Sequence, residues 1–331
     1  NSSIQEVENA DAILLVGSNP RWEASALNAR IRKAYINNNC KIGLIGPDLD
    51  LNYSYSKISE SLTSLNDILE NKSEFSKNLY NAKHPIIIVG TSAINIYQGI
   101  SVLKVCADIA KKFPNFSSSF NPLNILNQDI SRVGSLELGF TNNDFDGDFE
   151  KKIKEEINKN KPVVFLLGLD EINSKSLEGS FVVYCGHHGD LNAQHADIIL
   201  PTPAYTEKSS TFMNIEGRVI QTSRCHNPLG DAKEEWKIFR VLSDLLDCGI
   251  KFNNLNDVRK VLVDDNKSFL EVLEVYNSSN LSFASKEVIK EHKVSYNIAN
   301  FYMNDSISRS SETMAKCTNE ILNKVKASHH E

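Results

Sequence analysis

The sequence predicts an α/β fold: parallel-sheet lobes followed by a mainly helical C-terminal extension. Three observations carry that reading. Short apolar runs recur along the first part of the chain, nearly all ending at a glycine. Segments with helical spacing of apolar residues lie between them. Beyond about Trp236 the apolar runs stop and only helical patterns remain.

Residues 11–46 read as a strand–helix–strand unit. Asp11–Val16 is apolar and ends at Gly17-Ser18-Asn19-Pro20, where glycine and proline punctuate a turn. The next segment places Leu27, Ile31, Ala34 and Tyr35 on one helical face, with Arg30, Arg32 and Lys33 opposite. Lys41–Ile45 is the second strand, stopped by Gly46-Pro47. Pro85–Val89 then ends at Gly90, and Gln98–Lys112 is a helix. Further strands are Pro162–Leu167 before Gly168, Phe181–Cys185 before Gly186, and Asp197–Leu200 before Pro201. Such alternation indicates a parallel sheet with helices on both faces. Ligands of these sheets sit beyond the carboxyl ends of the strands, so the glycine turns are where function is sought.

Segments 235–247, 255–275 and 306–326 read as helices. On the last, Met314, Cys317, Ile321 and Val325 form an apolar stripe suited to core packing or to docking. The expected division is a Rossmann-like lobe (1–80), a second α/β lobe (81–245) and a helical extension (246–331).

A chain of 331 residues suffices for two or three compact domains. Its 41% hydrophobic and 24% charged residues are ordinary for a globular protein. A net charge of −6 without a basic run argues against a direct nucleic-acid role. No apolar run approaches the roughly 20 residues needed to span a bilayer, so direct membrane insertion is not expected. The opening NSSIQEVENA has no methionine and no signal-peptide pattern, and reads as a fragment cut at a domain edge. Cys40, Cys106, Cys185, Cys225, Cys248 and Cys317 are never spaced C-x-x-C, which argues against an iron–sulfur or zinc-ribbon site. They read as reduced thiols of a cytosolic compartment.

Four stretches invite a chemical role. Val16-Gly17-Ser18-Asn19-Pro20 resembles a phosphate cradle but matches neither G-x-G-x-x-G nor the Walker pattern. The second strand also ends without an acid to hold a ribose. NNDFDGDFEKKI, residues 142–153, starts like a calcium loop with Asn142, Asp144, Asp146 and Gly147. It has Ile153 where an EF-hand needs glutamate, so an exposed acidic loop is expected. In Gly186-His187-His188-Gly189-Asp190, adjacent histidines on a continuing strand point to opposite sides. A metal there would have to recruit His188, Asp190 and His195 through a flexible turn, and the spacing matches no zinc pattern. Backbone hydrogen bonding is the plainer role for these histidines. The fourth stretch is ADIILPTPAYTEKSSTFMNIEGRVIQ, where Asn214 and Gly217 bracket Glu216 and Arg218 in a way that locks a loop.

That last stretch resembles the molybdopterin oxidoreductase superfamily. The carrying residues are Ala196–Pro201, Glu207, Ser210-Thr211 and Asn214–Arg218, together with the opening Gly-Ser-Asn-Pro turn. With GHHGD, DAKEEWKIFRVLSDLL and FYMNDSISRSSETMAKC, the chain resembles the large iron–sulfur subunits of NADH–quinone oxidoreductases (complex I), in their alphaproteobacterial and mitochondrial branch. The similarity runs from about Ala10 to Lys316. It implies a superfamily-type α/β fold and a place in a respiratory NADH:quinone oxidoreductase, peripheral on the cytoplasmic side of a bacterial inner membrane, beside other peripheral-arm subunits. It also implies iron–sulfur clusters in an N-terminal region that this chain lacks. Where cofactor-loaded relatives carry an acidic motif after the second strand, this chain has Gly46-Pro47-Asp48, and Ser210 replaces a glycine. The resemblance therefore implies a structural domain without cofactor, metal or catalytic residues. A residual molybdopterin domain and a zinc module at the histidine turn are the alternatives.

Overall fold

The structure is a computed structural model. It describes residues 2–117, 121–140, 149–169, 172, 174–189, 191–273, 283, 288–296, 298 and 300–322. The chain forms two compact units, and the first comprises Asn1–Gly134, Met213–Val219 and Leu273–Ala299. The second comprises Ser135–Phe212, Ile220–Val272 and Asn300–Glu331.

The first unit is built on a five-stranded parallel sheet. Its strands are β1 (Ala12–Val16), β2 (Lys41–Ile45), β3 (Ser56–Ser59), β4 (Pro85–Gly90) and β5 (Leu123–Leu126). They lie in the order β3-β2-β1-β4-β5, so the direction of winding reverses between β1 and β4. Side chains alternate across the sheet and separate into two cores. Leu14, Val16, Ile87 and Val89 meet the helices Ser64–Leu69, Glu74–Asn81 and Gly99–Ala110 on one face. Ile13, Leu15, Ile42, Leu44, Ile86 and Ile88 meet Leu27, Ile31 and Ala34 of the helix Ser25–Asn38 on the other. Helices on both faces were the expectation, and the first unit has them.

β3 is a polar edge strand, and just beyond its end the chain is joined by a distant strap. The segment around residue 293 bridges Ser61 in antiparallel fashion. Leu62 N–H donates to the His292 carbonyl at 3.0 Å, and Val294 N–H donates to the Glu60 carbonyl at 3.0 Å. Ile289 and Val294 anchor this strap in the first core.

The second unit holds a parallel sheet in the order β6 (Val163–Leu167), β7 (Phe181–Gly186) and β8 (Ile198–Pro201). One core cluster, of Leu166, Leu177, Val182, Tyr184 and Ala193, covers one face. A short hairpin, β9 (Thr211–Met213) with β10 (Val219–Gln221), follows. Its tip Met213–Val219 belongs to the first unit. Helices Glu235–Leu245 and Leu255–Asp265 come next.

Three expectations need correction. A boundary at residue 80 falls inside the five-stranded sheet, because β4 pairs with β1, and periodicity along a strand does not reveal its neighbour. The helix expected over 255–275 ends at Asp265, where Asn266 turns out of helix and caps a short following turn instead. The helix expected over 306–326 is broken into Ser306–Arg309, Glu312–Cys317 and a π-type turn Thr318–Leu322. Asp305 caps the start, accepting from Ile307 and Ser308 N–H, and a second N-cap marks the break: Ser311 accepts from Met314 N–H. Val325 and the calcium-like residues Asn142, Asp144, Asp146 and Gly147 lie outside the described residues.

The two sheets differ in how firmly their apolar residues are buried, and truncation should read this out. Leu14→Ala is expected to cost about 3–4 kcal/mol in urea unfolding, as for a fully buried leucine. Val163→Ala, at a side chain 58% exposed, is expected to cost less than about 0.5 kcal/mol.

Candidate functional site

The place for a ligand in the first unit is the end of β1, β2 and β4, where the winding reverses. Gly17 and Gly90 meet there directly. A side chain at Gly90 would collide with the Gly17 carbonyl oxygen, and one at Gly17 with Ala93 Cβ at 2.7 Å. The β1 turn therefore packs on the β4 turn rather than opening as a cradle.

Beside them, Gly46 ends β2 with φ +151°. The Tyr296 hydroxyl lies 2.6 Å from where a Cβ would stand on Gly46, and it donates to the Pro47 carbonyl at 3.3 Å. Burial raises the Tyr296 phenol well above its ordinary range, with the charges of Glu23, Tyr55 and Asp48 acting the same way. This tyrosine arrives on the strap that bridges Ser61, 249 residues along the chain from Pro47. Nothing local in the sequence announces it.

Around this turn lies a small polar cluster. Ser18 is buried and its hydroxyl donates to Glu23 Oε2 at 3.0 Å. Burial raises the Glu23 carboxyl above the usual range, against hydrogen bonds from Ser18, the Asn19 backbone and Gln128. Asn19 Oδ1, Glu23 Oε1 and Thr91 Oγ1 are buried without a hydrogen-bond partner. Two of these three atoms can only accept while the carboxylate is ionised.

The motif residues of the second stretch are found holding backbone. Asp197 Oδ2 accepts the Val182 N–H at 2.7 Å, fastening β8 to β7. Glu207 Oε2 accepts the Ala204 N–H at 3.1 Å. Asn214 Oδ1 accepts from the N–H groups of Glu216 and Arg218, each at 2.9 Å, and so closes the hairpin tip. Glu216 Oε1 accepts the Ile4 N–H at 2.7 Å, and Oε2 accepts from Asn214 Nδ2 at 3.0 Å. Burial alone would raise the Glu216 carboxyl, but these donors and the nearby Arg218 outweigh it and hold it below the usual range. Arg218 also donates to the Leu273 carbonyl. Ser210 N–H donates to Thr222 Oγ1 at 3.0 Å, which ties the base of the hairpin.

At the histidine turn, the two rings come together. β7 ends at Gly186, so strand alternation no longer governs His187 and His188. Their Nδ1 atoms lie 2.7 Å apart, with the rings edge to face. One ring must donate and the other accept. The Tyr184 hydroxyl donates to the His188 carbonyl at 3.2 Å. His195 is exposed, and Asp190 lies outside the described residues. Among the described residues, no three His, Cys, Asp or Glu side chains gather as metal ligands. Cys40 and Cys106 are buried in the two cores of the first unit, and burial pushes both thiols up to about 12. Both therefore stay protonated at neutral pH.

Residues 1–245 match the family model described as molybdopterin oxidoreductase. The chain belongs to the molybdopterin oxidoreductase family. Within that family it carries a second signature, since residues 274–317 match the model for the C-terminal region of the NADH-ubiquinone oxidoreductase G subunit. The strap and Tyr296 lie in this second match, outside the first. The chain is 38% identical over 329 residues to the mitochondrial NADH-ubiquinone oxidoreductase 78 kDa subunit of Candida albicans, covering 96% of this chain and 44% of that protein. To the NADH-ubiquinone oxidoreductase 75 kDa subunit of Reclinomonas americana it is 35% identical, covering 96% and 46%. To the NADH-quinone oxidoreductase G subunit of Rickettsia bellii it is 33% identical, covering 96% and 45%. The chain thus spans somewhat less than half the length of these relatives. Acetylene hydratase from Pelobacter acetylenicus aligns in structure with a TM-score of 0.43 at 12% identity, over 74% of this chain and 50% of that one.

The raised Glu23 carboxyl has a definite consequence in this molybdopterin oxidoreductase family member. Its folded pKa lies above the unfolded one, so its charge costs stability at high pH and the cost vanishes as pH falls through the folded pKa. Glu23→Gln is expected to unfold at higher urea than the parent at about pH 8. That gap should close on acidification toward the ordinary carboxylate range near pH ~4.

Proposed function

We propose that the chain is the C-terminal, structural domain of a respiratory NADH:quinone oxidoreductase subunit, and that it performs no chemistry of its own. In this reading the longer protein carries iron–sulfur clusters outside the matched region and passes electrons from NADH toward quinone. The domain supports that region and docks on neighbouring peripheral-arm subunits of the complex, at the cytoplasmic side of a bacterial inner membrane. It binds no nucleic acid and does not enter the bilayer. No helix among the described residues is long and apolar enough to cross a membrane, which is consistent with a peripheral position.

The single observation that carries the reading is Tyr296 on Gly46. The family's cofactor would enter at the strand ends, and there the chain's own atoms supply the contacts. A tyrosine from the segment of the second family match covers the β2 turn, and the β1 and β4 turns close on each other. The unpaired oxygens beside them do not suit the group either. Asn19 Oδ1 and Glu23 Oε1 are acceptors, whereas a nucleotide diphosphate also offers acceptors and needs donors. The residues present therefore do not fit a molybdopterin nucleotide, and no reaction step runs through one.

Elemental analysis of the full-length subunit purified within its complex tests this. Molybdenum and tungsten are both expected far below one atom per chain, and a stoichiometric amount of either would overturn the proposal. Deletion of 301–331, whose Met314, Cys317 and Ile321 are half-buried or exposed, is expected to lower the yield of assembled complex. Unchanged assembly and activity would remove the docking role from that segment.

A further inference from the structure

The histidine turn is held by its surroundings, and two imidazoles leave it side by side. Tyr184 is buried, and a side chain on Gly186 would collide with its ring and hydroxyl. The same hydroxyl donates to the His188 carbonyl at 3.2 Å. The Gly186 carbonyl accepts the Thr202 N–H, just past β8, at 3.0 Å. The Cys185 carbonyl accepts the Gly168 N–H, just past β6, at 2.8 Å. The backbone that enters the turn is therefore fixed from both neighbouring strands. Beyond the histidines the space is open: a Cβ on Gly189 would meet nothing within 4 Å.

His187 is exposed and His188 half-buried, so solvent reaches the pair. Their Nδ1 atoms lie 2.7 Å apart, with the rings at 87° to each other. An ion with nitrogen bonds of about 2.0 Å keeps two neighbouring nitrogens roughly 2.8 Å apart in tetragonal geometry, and roughly 3.3 Å apart in tetrahedral geometry. The observed separation falls beside the first value. Spacing along the chain offered His188, Asp190 and His195 as ligands; the structure instead joins His188 to His187. Structural zinc takes four protein ligands. Among the described residues no third His, Cys, Asp or Glu joins the pair, so they form no closed zinc site.

We propose that His187 and His188 form an open two-nitrogen chelate for a divalent transition ion of tetragonal geometry, copper(II) foremost, with water in its remaining positions. Imidazole nitrogen suits copper, nickel and zinc, and among these divalent ions affinity is greatest for copper(II). Binding replaces the hydrogen bond between the rings. The ring that donates from Nδ1 gives that proton to solvent and takes one at its own Nε2. Each ring then stays neutral and turns an Nδ1 lone pair to the ion. The rings turn while the backbone stays fixed by Tyr184 and the two strand ends. The proposal adds an ion and no reaction, and it stands whether or not the chain serves as a scaffold.

Copper(II) titration of the 331-residue chain tests it, at about pH 7.5, above the ordinary imidazole range. The chain has a second pair of adjacent histidines near its end, so His329 and His330 are first replaced by alanine. One copper per chain is expected, with an electron paramagnetic resonance signal split by two imidazole nitrogens. Losing even an orienting partner of a ligand costs about 10–100-fold in metal affinity, so His187→Ala and His188→Ala are each expected to weaken binding at least about tenfold. Copper is also expected to raise the Tm of the parent and to leave that of either variant unmoved. His195→Ala is expected to bind as the parent does. Undiminished binding in His188→Ala overturns the proposal, since the ion is then adventitious. So does a loss with His195→Ala as large as with His187→Ala. A parent spectrum split by a single nitrogen overturns it as well, independently of how any variant folds.

Discussion

A parallel sheet whose strands are apolar on both sides must be buried on both sides, and this requirement organises the first unit. β1, β2, β4 and β5 carry alternating residues into two separate cores, each roofed by its own helices. Fully burying one such side chain is worth about 1.5–3 kcal/mol, so the two cores together dominate the stability of the unit. The requirement ends at β3, where Ser56, Lys57 and Ser59 give little apolar surface. Lys57 instead pairs with Asp48 at 2.7 Å and Glu60 at 2.9 Å, and the strap at 292–294 takes up the adjacent backbone groups. The same strap brings Tyr296 over the turn at the end of β2.

Asp11 and most polar residues of the stretch that carries the resemblance turn out to be fasteners. Asp11 and Asp197 each follow an alanine and precede an apolar strand. Each carboxylate accepts backbone N–H groups next to the neighbouring strand: Lys83 and His84 for Asp11, Val182 for Asp197. Glu207, Asn214, Glu216 and Arg218 likewise spend their polar atoms on backbone or on one another. Hydrogen bonds to charged acceptors are worth about 1.5–3 kcal/mol, more than an average one. Such residues are needed whether or not the fold performs chemistry. A signature of this kind therefore reports ancestry and architecture without reporting activity.

How much was legible follows from where each signal lies. β1, β2, β4, β6, β7 and β8 were readable because each is an unbroken apolar run with a punctuating turn. β3 was not, since Ser-Lys-Ile-Ser has the composition of a loop and becomes a strand only through pairing with β2. The three-residue strands β9 and β10 are too short for any periodicity, although Asn214 and Gly217 did mark their turn. The segment 306–326 reads as one helix because no glycine or proline interrupts it, whereas the Ser311 side chain restarts the helix at Glu312. The end of the strand at Gly186 is legible in the sequence, but the approach of the two histidine rings beyond it is not. Tyr296 could not be found at all, because its contact with Gly46 is a matter of tertiary path. Spacing along the chain says nothing of that.

The tight packing of these turns explains why polar atoms are found there. Ser18, Asn19, Thr91 and Ser92 are small and buried beside turns that pack backbone on backbone. Larger apolar replacements have no room there, since even a Cβ on Gly17 or Gly90 would collide with the neighbouring turn. Small polar residues are then what the geometry admits, at a cost of about 1–3 kcal/mol for each oxygen left unpaired. Tyr296 offsets part of that cost, because its ring packs against the first core and its hydroxyl takes the Pro47 carbonyl. The raised carboxyl of Glu23 belongs to the same balance: a buried acid with too few donors is more stable neutral. Turns packed backbone on backbone, with one distant tyrosine laid over them, hold this mixture of tight backbone and unpaired oxygen.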